Sequence, residues 1–273
     1  MKNQVKAILE RTPLLNTIYA GVRRRRTRQG FNRWTEEDEQ RLKFYRQFIG
    51  QVDPEHPPLV FDVGANLGNR TKIFLRLGAK VIAFEPQQKC AEYLRTVLKG
   101  APRFELVTKA LGDKPGHAEM LVSNAHVLST LSQEWTEATR QSGRFSRYEW
   151  NGRQRVEIIT LDSVIAKYGV PVFVKIDVEG FEYQVLSGLS QPVPYISIEF
   201  TAERIEDTYR CMDHLDALGR ASFRISLGES MEFCHPEWLS AKDTRELLGQ
   251  LIERDRLAWG DVYIRSEIPH TSH

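Results

Sequence analysis

The sequence is poor in cysteine, in long apolar runs and in the common phosphate-binding loops, and each shortage closes off a class of function. Its three cysteines, Cys90, Cys211 and Cys234, are odd in number, far apart and without a CxxC pair, so neither a disulfide framework nor a zinc site is expected. No stretch approaches the ~18 consecutive apolar residues of a membrane span. The opening MKNQVKAILERTPLLN has neither the apolar block nor the small-residue cleavage site of a secretory signal. A cytoplasmic location is the expectation. There is no internal repeat, and the only low-complexity segment is one run of arginines.

What is present is an ordinary globular composition, 41% hydrophobic and 27% charged, over 273 residues, enough for one sizeable α/β domain with an extension. The net charge of +2 hides an asymmetry. Residues 1–33 hold nine Lys or Arg against Glu10 alone, a local +8, which leaves −6 on the remaining 240 residues. In this arm Val5, Ile8 and Leu9, then Leu14, Leu15, Ile18, Tyr19 and Val22, recur at helical spacing on either side of Pro13. The pattern predicts two short amphipathic turns ending in arginines. Two readings stay open: a peripheral contact with an anionic membrane surface or an acidic partner, and a helical lid packed on the body. Nucleic acid ranks below both. A second helix is expected over residues 35–49, capped by Thr35, with acids in its first turn and Gly50 at its end. The Pro-rich QVDPEHPPL then marks a boundary, giving a basic helical extension over 1–55 and a main domain over 56–273.

From residue 59 short β-branched runs alternate with helical stretches, which predicts a parallel sheet with crossover helices. The runs are LVFDV, KVIAFE, FELVTKAL, VPVFVKID, YISIEF, SFRISL and DVYIR, with an insertion at 113–157 that holds HAEMLVS and RVEIITLD as candidate extra strands. LVFDVGANLGNR turns on glycines after the first run, and a helix is expected to start near Asn66. The loop is neither GxGxxG nor GxxxxGK[ST], so a pyrophosphate is not its natural guest. A ligand with an ammonium and a carboxylate suits it better: Asp62 can serve the ammonium, and loop N–H groups the carboxylate. Glu85 follows Asp62 by 23 residues, at the tip of the next strand, where an acid accepts hydrogen bonds from ribose hydroxyls. Ala110, Leu111 and Asp113, in ALGDKPG, are placed to border an adenine.

VFVKIDVEGFEYQVLSGL repeats this logic, with Asp177, Glu179 and Glu182 where the strand turns into a helix. Acids are good first-turn residues, which accounts for Glu179 and Glu182, but not for Lys175 inside an apolar strand. Lys175 and Asp177 lie two apart and face one side. Glu199 ends the following run.

VFDVGANLGNRT, AFEP, ALGDKPG, STL at 129–131, TLDSVI, VKIDVEGFEYQVLSG, ISIEF and DVYIR, in that order over about residues 57–265, resemble the FkbM family of S-adenosylmethionine-dependent methyltransferases. The resemblance implies a class I Rossmann-like methyltransferase, with a mostly parallel seven-stranded sheet, helices on both faces and DVYIR inserted antiparallel. It also implies O-methylation of a hydroxyl on a sugar, glycan or natural product. On this reading the cofactor is S-adenosylmethionine, held by Asp62, Gly64, Ala65, Asn66 and Gly68, with Thr71, Glu85, Ala110 and Leu111 completing its site. The catalytic set is Asp177, Glu179, Lys175 and Glu199, with Asp177 orienting or deprotonating the hydroxyl and Lys175 holding the acids in place. The three acids could also hold a divalent cation, although a metal is not the expectation. His126 and His235 are reserve bases, and Trp135, Tyr148 and Trp150 are candidate sugar-stacking rings. The rivals are an N-methyltransferase acting on protein or nucleic acid, a fold that binds ligand without turnover and, least favoured, a dehydrogenase.

Overall fold

The computed structural model describes residues 13–268. Helix α1 (Pro13–Phe31) is continuous. The arginines, expected to end a short turn, carry the helix on, because arginine is a good helix former and Pro13 sits where proline is tolerated, at the first turn. Val5, Ile8 and Leu9 lie outside the described residues. Helix α2 (Glu36–Ile49) matches expectation: Thr35 and Asp38 close a capping box, four acids fill the first turn, and Gly50 caps the end at φ 72°. Its other face is buried. Phe48 stacks on Phe173 at 5.2 Å and on Tyr263 at 5.1 Å, so this helix shares the core of the sheet.

The remaining elements run β1 (Leu59–Val63), α3 (Asn69–Arg76), β2 (Lys80–Phe84), α4 (Gln88–Val97), β3 (Phe104–Val107), β4 (Ala110–Leu111) and β5 (Gly116–Val122). A short turn of 3₁₀ helix (His126–Leu128) and α5 (Gln133–Gln141) follow, then β6 (Gly152–Ile159), α6 (Leu161–Tyr168), β7 (Phe173–Ile176) and α7 (Glu182–Ser187). The chain continues as β8 (Tyr195–Thr201), α8 (Ile205–Leu218), β9 (Ala221–Leu227), α9 (Ala241–Arg254) and β10 (Trp259–Ser266).

Seven strands form one sheet in the order β3-β2-β1-β7-β8-β10-β9, with β10 antiparallel to both neighbours, which is the class I Rossmann-like methyltransferase arrangement. FELVTKAL does not form one strand. It splits into β3 in the main sheet and β4 in a small second sheet, β4-β6-β5, made with the two strands of the insertion region. Strand order reverses between β2-β1 and β7-β8, and the crevice at that switch point is where open α/β sheets bind ligands. Phe61, Ile176, Ile198 and Met212 are among the residues packing one sheet face against its helices, while Phe74, Phe173, Tyr263 and the α2 aromatics pack the other. Among the described residues, no helix is long and apolar enough to cross a membrane.

Candidate active site

A cavity of about 220 Å³ opens over the carboxyl ends of β1 and β7. On its β1 side the chain leaves the strand through Gly64, at φ 83°, where a Cβ would lie 1.8 Å from the Asp177 carbonyl oxygen. Only glycine lets the two loops approach this closely. The helix after the loop begins at Asn69 and not near Asn66, because Gly68 caps it in a left-handed conformation and Asn66 is itself left-handed at φ 50°. Asparagine tolerates that region better than most side chains. Asn66 N–H donates to Glu85 at 2.7 Å, Gln87 N–H donates to the other Glu85 oxygen at 2.7 Å, and the Asn66 side chain meets His126 Nδ1 at 2.7 Å. Glu85 therefore organises the loop as well as facing the cavity. Burial pushes its carboxyl up to about 7 in spite of those two donors.

Asp62, Gly64, Ala65, Asn66, Glu85, Ala110 and Leu111 all line the cavity; Gly68 and Thr71 do not. Gly68 packs under Leu94 and Phe31. Thr71 is fully buried behind Asp62 and donates to its carboxylate at 2.5 Å. Burial raises the Asp62 carboxyl, and the Thr71 hydroxyl opposes that rise. Asp113 is exposed and does not line the cavity.

On the β7 side Lys175, Asp177 and Glu179 line the cavity. Carboxylate oxygens of Asp177, Glu179 and Glu199 all lie within 4.8 Å of one another. One ammonium answers them: Lys175 Nζ, buried at 3% exposure, reaches Asp177 at 2.6 Å. Burial works against that ammonium, but Asp177 and then Asp261 hold it above the ordinary lysine value. Glu179 is raised well above the ordinary glutamate value, first by its dense surroundings and then by Asp177 and Glu182; Glu199 is raised by its surroundings and then by Glu179 and Asp177. Such a trio has the chemistry for a hard cation, but the Lys175 ammonium already competes for Asp177.

Glu199 faces away from the main cavity, into a small polar space beside Trp135, Glu182 and Arg204. Glu182 is structural: it accepts from the N–H groups of Val178 at 3.0 Å and Gly180 at 3.3 Å, holding the 178–182 turn. Glu179 sits in that turn at φ 57°, a position unusual for a glutamate. The Thr130 hydroxyl pins it by donating to its carbonyl at 2.6 Å, and Ser132 N–H, donating to Thr130 Oγ1 at 2.9 Å, fixes the direction of that hydroxyl.

Sequence reasoning passed over a polar network below the acids, buried at Tyr45, Tyr263 and Asp261 and opening to solvent at Glu229. Arg70 donates to the Tyr45 hydroxyl at 3.1 Å and pairs with Glu229 at 2.5 Å; Tyr45 meets the Tyr263 hydroxyl at 3.4 Å, and Tyr263 reaches Asp261 at 3.4 Å. In register, Asp62, Lys175, Ser197 and Tyr263 form one row across β1, β7, β8 and β10. The one available signal was Lys175 itself: an ammonium in an apolar strand needs more than one counter-charge, and Asp261 in DVYIR was the unexplained acid. His126 lines the cavity, whereas His235 does not. His235 has both ring nitrogens buried without a partner and is lowered by burial and by Arg224. Trp135 and Trp150 are buried against each other and Tyr148 is partly exposed, so the two tryptophans pack the insertion and present no stacking face.

The sequence profile of the methyltransferase FkbM domain matches residues 62–225. Comparison with curated proteins finds no significant match. Similar solved structures include the precorrin-6Y C5,15-methyltransferase of Geobacter metallireducens, 10% identical, with a TM-score of 0.42 over 82% of this chain and 88% of that one. An rRNA methylase from Streptococcus thermophilus is 12% identical, with a TM-score of 0.39 over 83% and 94%. The plantazolicin methyltransferase BpumL in complex with SAH is 10% identical, with a TM-score of 0.38 over 97% and 99%.

Proposed function

This chain belongs to the FkbM methyltransferase family, and from that membership we propose that it transfers the methyl group of S-adenosylmethionine to a hydroxyl of an uncharged, polyhydroxylated acceptor such as a sugar or glycan. The residues present suit the donor. Gly64 leaves the crevice open where a Cβ would close it, and Asp62, Glu85 and the apolar pair Ala110 and Leu111 offer partners for an ammonium, a ribose and an adenine. Bound there, S-adenosylmethionine supplies an electrophilic methyl carbon on a cationic sulfur.

The observation that carries the reading is the crowding of Asp177 and Glu179 around a single buried ammonium at the other end of the same cavity. A neutral hydroxyl is a weak nucleophile, and a nearby carboxylate that takes its proton as the new C–O bond forms lowers the barrier. Asp177, engaged by Lys175, orients the hydroxyl. Glu179, cavity-lining and raised in proton affinity, accepts the proton. Lys175 keeps the two acids from repelling each other apart. Among the residues lining this end of the cavity, the acids Asp177, Glu179 and Glu229 outnumber the cations Lys175 and Arg70, which disfavours phosphate-bearing acceptors.

The test is methyl-labelled donor incubated with the purified protein and with glycolipid, polysaccharide, protein and RNA fractions. Label in a carbohydrate-bearing fraction, stable to conditions that hydrolyse methyl esters, is expected. Label confined to protein or RNA would replace this reading with a macromolecular acceptor, and digestion to single labelled residues would then tell oxygen from nitrogen.

A further inference from the structure

The mechanism uses nothing before α2, yet α1 carries a net charge of +5, all of it from arginines in a helix with no acid. Apart from half-buried Thr27, the described side chains from 21 to 30 are exposed, including Val22, Arg24, Arg25, Arg26 and Arg28. The helix contains no acid, and among the described residues none of these four arginines has an ion-pair partner. At 100° per residue Arg24, Arg25 and Arg26 point in three directions, so the charge forms a collar around the helix and not a stripe along it. Successive like charges on one helix repel. A collar of them is relieved by a layer of many anionic groups, among which long side chains pointing in several directions can all find a phosphate, and less well by a partner that offers one face.

Polarity along the helix agrees. The ten residues from Pro13 to Val22 contain Leu14, Leu15, Ile18, Tyr19 and Val22 and no charge, and the arginines follow directly. Phe31 roots the helix on the body: it is buried, lies edge-on to Tyr93 and packs beneath Gly68 of the donor loop, with Lys72 over its ring.

We propose that α1 docks the protein on an anionic lipid surface, lying at the headgroup level with the Arg24–Arg28 collar among the lipid phosphates. The body outside residues 1–33 carries −6, so the attraction is local to the arm.

Sedimentation of the full chain with vesicles of phosphatidylglycerol and phosphatidylcholine, and with phosphatidylcholine alone, tests this independently of any methyl acceptor. Binding is expected only to the anionic vesicles, weakening as salt rises. Arg24→Ala, Arg25→Ala, Arg26→Ala and Arg28→Ala together should weaken it more than about 100-fold, with an unchanged thermal midpoint, because these side chains touch nothing in the core. Leu14→Gln with Ile18→Gln should reduce binding even at low salt. Equal binding to neutral vesicles, binding unaffected by the four substitutions, no vesicle binding, or preferential capture by RNA in competition would each overturn the proposal.

Discussion

At the β1 end of the cavity the surface is shaped mostly by backbone: a glycine that admits no Cβ, a left-handed Asn66 and two N–H groups fastened to Glu85. At the β7 end it is made of side-chain charge: the carboxylates of Asp177 and Glu179, one ammonium and, beside them, the Arg70–Glu229 pair. Each end holds a non-glycine residue in the left-handed region, Asn66 and Glu179, and one segment, 126–130, ties down both through His126 and Thr130. On the proposed function, the first end would recognise the donor by shape and the second would act on the acceptor by charge. Substitutions should therefore separate binding from turnover according to the end they touch.

The largest effect should come from the charged end. Asp177→Asn is expected to lower turnover by about 10²–10⁴-fold while leaving donor affinity within a few-fold, read by steady-state kinetics beside calorimetric titration of the donor. Full turnover in this variant would end its assignment. Glu179→Gln should do the same and also abolish the pH dependence. Because the Glu179 carboxyl is raised above its ordinary 4.5, wild-type turnover should climb with pH through a midpoint above that value as the carboxylate forms.

Next is the backbone end. Gly64→Ala should weaken donor binding more than turnover by saturated enzyme, and should destabilise the fold by about 3 kcal/mol or more, since its Cβ meets backbone and its φ is positive. An unaltered melting curve would show that the two loops can part.

Glu182→Gln tests whether burial at the charged end costs stability. The Glu182 carboxyl is raised from 4.5 to about 7, so the folded state holds a proton that the unfolded state releases between those values. Stability is thus full below 4.5, falls as pH rises towards 7 and is flat beyond, by on the order of 3 kcal/mol. The glutamine variant, still able to accept from Val178 and Gly180, should lose this slope and melt higher than wild type at pH 8. Parallel stability curves would refute the account.

The smallest effect expected is from Thr130→Val, which frees the Glu179 carbonyl. A roughly ten-fold loss in turnover with little change in KM, restored by Thr130→Ser, would mark Thr130 as a positioning residue; equal loss in both variants would mark it as packing alone.

Much of this was legible in the sequence, for identifiable reasons. Apolar runs ending in an acid disclosed β1, β2, β7 and β8, and with them Asp62, Glu85 and Asp177, because a buried parallel strand must be apolar until it reaches the ligand edge. Thr35 and Gly50 disclosed α2. The position of Thr71 behind Asp62 was hidden because a helix start three residues later than expected turns it inward. Glu199 belongs to the acid cluster but opens to another space, a matter of how β8 ends and not of which residue ends it. Arg70, Glu229, Tyr45 and Asp261 were out of reach: Arg70 and Glu229 are 159 residues apart, and no periodicity links them.

The antiparallel β10 sets the order in which this chain can be completed. It lies between β8 and β9, so both earlier strands wait with open edges until it emerges. Tyr45 and Tyr263, hydroxyl to hydroxyl, are 218 residues apart, and although Phe74 and Phe173 cover part of the aromatic face of α2 earlier, the part that packs on Tyr263 stays uncovered until the last strand emerges. A ribosome-bound chain halted before residue 259 would present those rings and unpaired strand edges to whatever is nearby, which makes this half of the sheet the natural place for a chaperone to hold it.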